Sequence, residues 1–145
     1  PWGVMQMLDH IDTKYHGLET TIIGASNHVG RPLTLELLLA GCTVTTTHKF
    51  TKNIETKVKN ADLVISAVGK PNLIPGKWIK PGAIAIDIGI TRDKLGKLHG
   101  DFRFEEVKEI ASWITPVPGG VGPMTRAVLL QNTMQSAQEH LKSEN

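Results

Sequence analysis

The sequence has little of what marks membrane, secreted or metal-dependent proteins. Its single cysteine, Cys42, excludes an internal disulfide and favours a reducing compartment, so we expect a cytoplasmic protein. No apolar run is long enough to span a bilayer, nothing resembles a signal peptide, and the histidines show no metal-ligand spacing. We therefore predict no membrane partner and no bound metal.

Aromatic residues and clustered charge are also scarce. Aromatics make up 5% of the 145 residues, and the net charge of +2 comes from basic residues scattered without a long run. Nucleic-acid binders need stacking aromatics or a basic patch, so we expect no nucleic-acid partner, whereas small anions remain compatible. The length and a hydrophobic content of 40% indicate one globular domain. Because the sequence begins at Pro1 and not at Met, we expect a fragment or a processed product.

The order of local patterns predicts an α/β fold. A short amphipathic helix is expected over residues 4–11, and β-branched runs predict strands at 20–25, 42–48, 62–68, 83–89 and 112–117. Helical patterns follow at 33–41, weakly at 51–61, and from Pro123 onward, where the apolar stripe is Ala127, Leu130, Met134, Ala137 and Leu141. Short apolar strands alternating with helices predict a three-layer, Rossmann-like domain with a mostly parallel sheet flanked by helices.

Glycines stand at the predicted carboxyl ends of three strands. Gly24, Gly69 and Gly89 would leave one sheet edge bare, which is where open parallel sheets bind ligands. The turn "GASNHVGRP" (24–32) is neither the G-x-G-x-x-G fingerprint, because Ser26 replaces the middle glycine, nor a P-loop. Its place before a helix N-terminus nonetheless favours phosphate binding, with a purely structural turn as the alternative.

Cations replace the acid that usually follows the second strand of NAD-binding folds. The stretch "HKFTKN" supplies His48, Lys49 and Lys52, and Arg31 lies in the first turn. Positive charge there suits a 2′-phosphate and predicts NADP over NAD, unless these lysines are a solvated rim. In "IDIG", we expect Asp87 to be a partly buried structural carboxylate, with lining of the site as the alternative.

Six motifs together resemble one family. "IIGASNHVGRP", "THKFTKN", "ADLVISAVGKP", "GAIAIDIGI", "HGDFRFEEV" and "ITPVPGGVGPMT" occur in the order and spacing of bifunctional methylenetetrahydrofolate dehydrogenase/cyclohydrolases. The resemblance implies a two-domain enzyme whose N-terminal domain carries a catalytic lysine and tyrosine and whose Rossmann domain holds NADP. It implies that residues 1–145 are that Rossmann domain, that 1–12 are its crossover helix, and that the catalytic residues lie outside this chain.

The same resemblance assigns roles by position. It matches Gly24, Ala25 and Ser26 to the pyrophosphate turn, Arg31 and Lys49 to the 2′-phosphate, and Ile90 to the nicotinamide. With the positions reasoned from the residues alone, the predicted cofactor set is Gly24, Ala25, Ser26, Arg31, His48, Lys49, Val68, Gly69, Gly89 and Ile90. The loop bordering folate and nicotinamide is predicted at Pro118, Gly119, Gly120 and Gly122. Ala25 stands where some relatives have a cation, which transfers phosphate recognition to Lys49 and Arg31.

A stiff loop bare of side chains suits this chemistry, because hydride transfer needs two flat rings at near contact. The resemblance implies oxidation of 5,10-methylenetetrahydrofolate to the methenyl form and its hydrolysis to 10-formyltetrahydrofolate, by a homodimer. The isolated domain is expected to bind cofactor and to turn over little or nothing. Two alternatives are a non-catalytic NADP-sensing module and another NADP-dependent dehydrogenase of related fold, such as a shikimate-type enzyme.

Overall fold

A five-stranded parallel sheet organises residues 1–143, the part of the chain that this computed structural model describes. The strands within residues 1–143 are β1 (Glu19–Ile23), β2 (Thr43–Thr47), β3 (Leu63–Ser66), β4 (Ile84–Asp87), β5 (Thr91–Arg92), β6 (Leu98–His99) and β7 (Trp113–Ile114). The sheet order is β2–β1–β3–β4–β7, while β5 and β6 form a separate antiparallel hairpin. The chain direction across the sheet therefore reverses between β1 and β3, a switch point of the kind where α/β proteins bind ligands.

Helices connect the strands and cover both faces of the sheet. They are α1 (Trp2–His10), α2 (Gly30–Ala40), α3 (Ile54–Lys59), α4 (Phe104–Val107) and α5 (Val121–Ser143), with a 3-10 turn at Gly76–Trp78. None of the helices within residues 1–143 combines the length and the apolar character that a bilayer crossing requires.

The alternation of side chains along each strand produces the three layers. Ile22 on β1 and Ile65 on β3 point into one core, which also holds buried residues of α1 and α2. Their neighbours Ile23 and Val64 point into a second core, formed with α3 and α4. Because both faces of the strands are buried, their sequences are almost continuously apolar. The predicted Rossmann-like α/β architecture is confirmed.

The five sheet strands occur where the β-branched runs predict them, and the helical segments at 4–11, 33–41 and 51–61 are also confirmed. The hairpin β5–β6 and the helix α4 were not predicted. The last helix begins at Val121, two residues before the predicted start at Pro123. Its apolar stripe is not buried as expected of an amphipathic helix, since Leu130 is 67% exposed and Met134 64%.

A close backbone approach joins β1 to α2. Gly30 opens α2, and a Cβ atom on it would overlap the carbonyl oxygen of Gly24. Gly24 in turn lies against the turn after β3, because a Cβ on Gly24 would come within 2.7 Å of the Ala67 carbonyl oxygen. Glycine at both positions lets the helix N-terminus sit directly over the strand ends.

We expect Gly30→Ala to lower the free energy of unfolding by about 1–3 kcal/mol or more, since the added methyl group forces the helix away from the turn. Urea denaturation followed by far-UV circular dichroism measures this. Gly3→Ala is the matched control, because Gly3 is also helical and a Cβ there would meet Met124 at an ordinary 3.6 Å. Equal effects of the two substitutions would contradict the close approach.

Candidate functional site

The strands that build the candidate site end in one row. Thr47 of β2 pairs with Ile23 of β1, Ile23 pairs with Ser66 of β3, and Ser66 pairs with Asp87 of β4. All four strands are parallel, so the turns that follow them begin at the same edge of the sheet. The predicted cofactor residues after these strands therefore share one edge.

The turn after β1 is closed by its own serine. The Ser26 Oγ accepts hydrogen bonds from the backbone N–H groups of Val29 (3.2 Å) and Gly30 (3.4 Å), and its carbonyl accepts one from Arg31 N (3.0 Å). These contacts hold the predicted pyrophosphate turn, Gly24 to Ser26 with Ala25 between them, at the N-terminus of α2. A helix N-terminus attracts anions through its N–H groups and its dipole, and because the N–H groups of Gly30 and Arg31 already bond to Ser26, the dipole of α2 is the main attraction here.

The turn after β2 carries an ordered cation. The backbone N–H of Phe50 donates to His48 Nδ1 at 3.2 Å, and His48 N donates to Thr51 Oγ1 at 3.0 Å. The Lys49 ammonium lies 4.8 Å from the centroid of the Phe50 ring, a cation–π contact on a side chain that is 75% exposed. Lys49 is thus held at the end of β2, beside the turn after β1.

The other two predicted cations are placed differently. The Arg31 guanidinium donates to Asn27 Oδ1 at 2.8 Å, which keeps it on the turn after β1. Lys52 instead lines a polar cavity of about 380 Å³ beside α3, together with Thr45 and Lys57. Lys52 thus borders α3, whereas Lys49 lies two residues after the last residue of β2.

The turns after β3 and β4 contain Val68, Gly69, Gly89 and Ile90. Val68 contacts the first turn, since a Cβ on Gly24 would come within 3.2 Å of a Val68 methyl group. The Thr91 hydroxyl donates to the Gly69 carbonyl at 3.0 Å and ties the two turns together. On this side, the predicted cofactor residues contribute only backbone and the apolar side chains of Val68 and Ile90.

The loop at 116–122 separates two cavities. Pro118 and Gly122 line a cavity of about 310 Å³ that also touches Asp87, Ile88 and Ile90. A second, larger cavity of about 660 Å³ lies towards α1 and Trp113. Both cavities are lined by Pro116, Gly119, Gly120 and Pro123. The loop therefore lines both cavities, whereas Gly24, at the end of β1, is separated from β7 and this loop by β3 and β4.

Asp87 is both structural and part of the cavity lining. It is 4% exposed, and its two carboxylate oxygens accept the backbone N–H groups of Asp101 and Phe102, each at 3.0 Å. Burial raises the pKa of the Asp87 carboxyl from 3.8 to about 6, although the hydrogen bonds from Phe102 and Asp101 oppose this. The prediction of a partly buried carboxylate understated its burial.

Asp101 is a residue that reasoning from the sequence missed. It is fully buried, and its carboxylate accepts hydrogen bonds from Ser66 Oγ (2.7 Å) and from the backbone N–H groups of Val68 (2.9 Å), Gly69 (3.3 Å) and Lys70 (2.8 Å). The only sequence signal was the motif "HGDFRFEEV", whose aspartate lies 35 positions after Ser66.

The edge thus offers a helix N-terminus and the exposed cation of Lys49 at one end and an apolar, glycine-lined cavity at the other. Such an arrangement can hold a phosphorylated dinucleotide with its charged half over β1 and β2 and a flat ring over β4 and β7. Within residues 1–143, no three His, Cys, Asp or Glu residues are grouped to hold a metal ion.

Comparison with known proteins agrees with this geometry. A sequence profile described as "Tetrahydrofolate dehydrogenase/cyclohydrolase, NAD(P)-binding domain" matches residues 1–141. Among solved structures, the bifunctional enzyme FolD, a methylenetetrahydrofolate dehydrogenase/cyclohydrolase from Campylobacter jejuni, is 48% identical with a TM-score of 0.95, over 97% of this chain and 50% of that chain.

Two further structures are similar. The 5,10-methylenetetrahydrofolate dehydrogenase of the silkworm Bombyx mori is 41% identical with a TM-score of 0.90, over 97% of this chain and 51% of that one. The Trypanosoma brucei dehydrogenase-cyclohydrolase, solved with NADP and an inhibitor, is 36% identical with a TM-score of 0.90, over 96% and 50%. The chain thus spans about half the length of the structures it matches.

The raised pKa of Asp87 predicts an unusual pH dependence of stability. Between pH 4 and 6 the folded chain binds more protons at Asp87 than the unfolded chain, so stability from this group falls as the pH rises through that window. Relative to Asp87→Asn, the unmodified chain should therefore gain on the order of 2 kcal/mol in unfolding free energy from pH 7 down to pH 4. Urea denaturation at each pH measures this.

Asp62→Asn is the control, because the pKa of Asp62 is shifted in the opposite direction. The hydrogen bond from Lys80 lowers the pKa of the Asp62 carboxyl, so its contribution is present at neutral pH and is lost on acidification below about pH 4. If the difference in unfolding free energy between the unmodified chain and Asp87→Asn grew from pH 4 to pH 7, the raised pKa would be contradicted.

Proposed function

The chain belongs to the family of tetrahydrofolate dehydrogenase/cyclohydrolase NAD(P)-binding domains, and from this premise we propose that it is the NADP-binding domain of a methylenetetrahydrofolate dehydrogenase/cyclohydrolase. The observation that carries the proposal is the alignment of strand ends, which places the turn of Lys49 and the turn of Gly24 side by side. One turn offers a cation for a 2′-phosphate, and the other a helix N-terminus for the pyrophosphate.

The proposed pose lays the cofactor along the row of strand ends. Its adenosine half lies over β2 and β1, with Lys49 and Arg31 near the 2′-phosphate and residues 24–26 under the pyrophosphate. Its nicotinamide half passes Val68 and Gly69 and ends at Gly89 and Ile90. When bound, NADP supplies the hydride acceptor, and the residues of this chain bind and orient it.

The loop at 116–122 would position the substrate ring against the nicotinamide. Its glycines and prolines line the cavity next to Ile90 and the larger cavity beyond it, so a pterin and a nicotinamide can each reach its backbone. Hydride transfer needs the two rings in direct contact with no backbone between them, and a loop without bulky side chains leaves room for them to stack beside it. We assign Pro118, Gly119, Gly120 and Gly122 to this role.

The complete reaction requires more than this chain. We propose that the whole enzyme oxidises 5,10-methylenetetrahydrofolate to the methenyl form and hydrolyses that to 10-formyltetrahydrofolate. The resemblance implies that the catalytic lysine and tyrosine lie outside this chain, so we expect the isolated chain to bind cofactor with little or no turnover. We further propose that the whole enzyme is a homodimer in the cytoplasm with no membrane or nucleic-acid partner. The lone Cys42 supports a reducing compartment and the dispersed charge argues against nucleic acid, while the homodimer rests on the family resemblance.

The family match decides against a shikimate-type dehydrogenase. The NADP-sensing alternative differs in one measurable respect: the complete protein would bind NADP but would not reduce it with 5,10-methylenetetrahydrofolate. The bare loop between two cavities favours the enzyme, because a sensor needs no surface that faces two ligands.

We expect the chain to bind NADP more tightly than NAD and Lys49→Glu to remove that preference. Loss of a charge-assisted contact and its replacement by repulsion should raise the Kd for NADP about 10- to 100-fold and leave the Kd for NAD within about threefold. Isothermal titration calorimetry with both nucleotides measures this.

Lys14→Glu makes the same change in net charge on an exposed lysine before β1, at the opposite edge of the sheet, and should leave both affinities unaltered. Equal or absent binding of NADP and NAD by the unmodified chain would refute the cofactor assignment. An unchanged preference in Lys49→Glu would remove Lys49 from the 2′-phosphate site.

A further inference from the structure

We infer that Asp101 is a positioning residue for the nicotinamide half of the cofactor: its buried carboxylate holds the turn after β3 against the turn after β4. The inference rests on the proposed NADP function. It assigns to Asp101 no contact with the cofactor, only control over the backbone that the cofactor would touch.

The hydrogen bonds to Asp101 converge from one turn. Three successive backbone N–H groups, those of Val68, Gly69 and Lys70, point at its carboxylate, and the Ser66 hydroxyl adds a fourth donor. Successive N–H groups that converge in this way form an anion-binding concavity, and here the anion is a side chain of the protein itself. The turn therefore cannot rotate these amides outward without leaving the carboxylate unsatisfied.

This use of the amides determines what the turn can offer a ligand. The N–H groups of residues 68–70 are directed inward, and the Gly69 carbonyl already accepts the Thr91 hydroxyl. The Ala67 carbonyl is pressed against Gly24. The turn accordingly offers the cofactor a rigid surface of defined shape, formed by Val68 and Gly69, more than a set of hydrogen bonds.

Asp101 also contacts the turn after β4. A Cβ atom on Gly89 would overlap the Asp101 carboxylate, so the two lie in direct contact. The backbone of Asp101 is anchored to Asp87, which lines the cavity beside Ile90. One buried side chain therefore connects the two turns that we assign to the nicotinamide half.

The charge of Asp101 is balanced by dipoles and not by a cation. Within residues 1–143, no ion pair involves Asp101 or Asp87. An asparagine at position 101 would keep the size of the side chain but would direct an NH₂ donor at N–H donors. At least one amide of the turn would then lose its acceptor, and a buried donor without a partner forces a local rearrangement.

The position of Asp101 along the edge gives the test its selectivity. It acts on the turns after β3 and β4, whereas the 2′-phosphate and pyrophosphate are assigned to the turns after β2 and β1. Asp101→Asn should therefore raise the Kd for NADP at least tenfold. It should leave the Kd for 2′,5′-ADP, which has the 2′-phosphate but no nicotinamide, within about twofold. Titration calorimetry with both ligands measures this split.

Asp62→Asn is the matched control, because Asp62 also accepts a backbone N–H, from Glu19 at 3.3 Å, but at the opposite edge of the sheet. It should change neither affinity. Ser66→Ala serves as a second variant, because it removes the hydroxyl that donates to Asp101 and leaves the Asp101 carboxylate in place. It should raise the Kd for NADP about two- to fivefold and leave the Kd for 2′,5′-ADP unchanged.

The outcomes separate this inference from the proposed function. If the unmodified chain binds both ligands and Asp101→Asn weakens both equally or neither, the positioning role is wrong. If circular dichroism shows that Asp101→Asn does not fold, Ser66→Ala decides, and an equal or absent effect on the two ligands overturns the inference. If the unmodified chain binds neither ligand, the NADP assignment itself fails.

Discussion

Parallel pairing in register is the constraint on which the proposed site depends. The last residues of β2, β1, β3 and β4 form one row, so four turns from distant parts of the sequence start at the same edge. A slip of one residue in any strand would exchange its two faces and move its turn out of the row. Because both faces are apolar, polarity alone does not set the register, and the shape of side-chain packing in the two separate cores of Ile22 and Ile23 must fix it.

Close packing behind the row gives it rigidity. Gly30 meets Gly24, Gly24 meets the turn after β3, and Gly89 meets Asp101, so each turn supports the next through backbone or a buried carboxylate. Asp87 and Asp101 are buried there, and in the described part of the chain no cation pairs with either, an arrangement that is costly unless hydrogen bonds replace the lost water. Backbone N–H groups provide those hydrogen bonds, and without the bonds a carboxylate would be left unpaired in a dry interior. The chain therefore has little freedom to rearrange at this point.

The elements that the sequence predicts well are those set by local patterns. The β-branched runs locate all five strands of the sheet, and the glycines after them mark the edge correctly, because both depend on a few neighbouring residues. The role of Asp101 could not be derived in this way, since its partners lie more than thirty positions earlier and meet it only in the folded chain.

Two further features also depend on the whole fold and not on local pattern. Lys52 follows Lys49 by three residues, yet the turn around His48 and Thr51 directs the chain towards α3 before Lys52 is reached. The apolar stripe of α5 has a regular period, but periodicity does not say what covers it, and residues 1–143 leave it exposed. Local pattern identifies an element, whereas its neighbours are decided by the whole fold.

The two ends of the row differ in chemistry. In the proposed cofactor site, the preference between NADP and NAD therefore depends on other residues than the placement of the nicotinamide does. On the proposed function, recognition at the β2 end would rest on an exposed side chain, Lys49, whose charge can change without disturbing any core. At the β4 end it rests on backbone shape held by buried groups such as Asp101, where one changed atom affects two turns. Preference between NADP and NAD can therefore vary by single substitutions at the surface. The geometry that presents the nicotinamide can change only together with the interior that supports it.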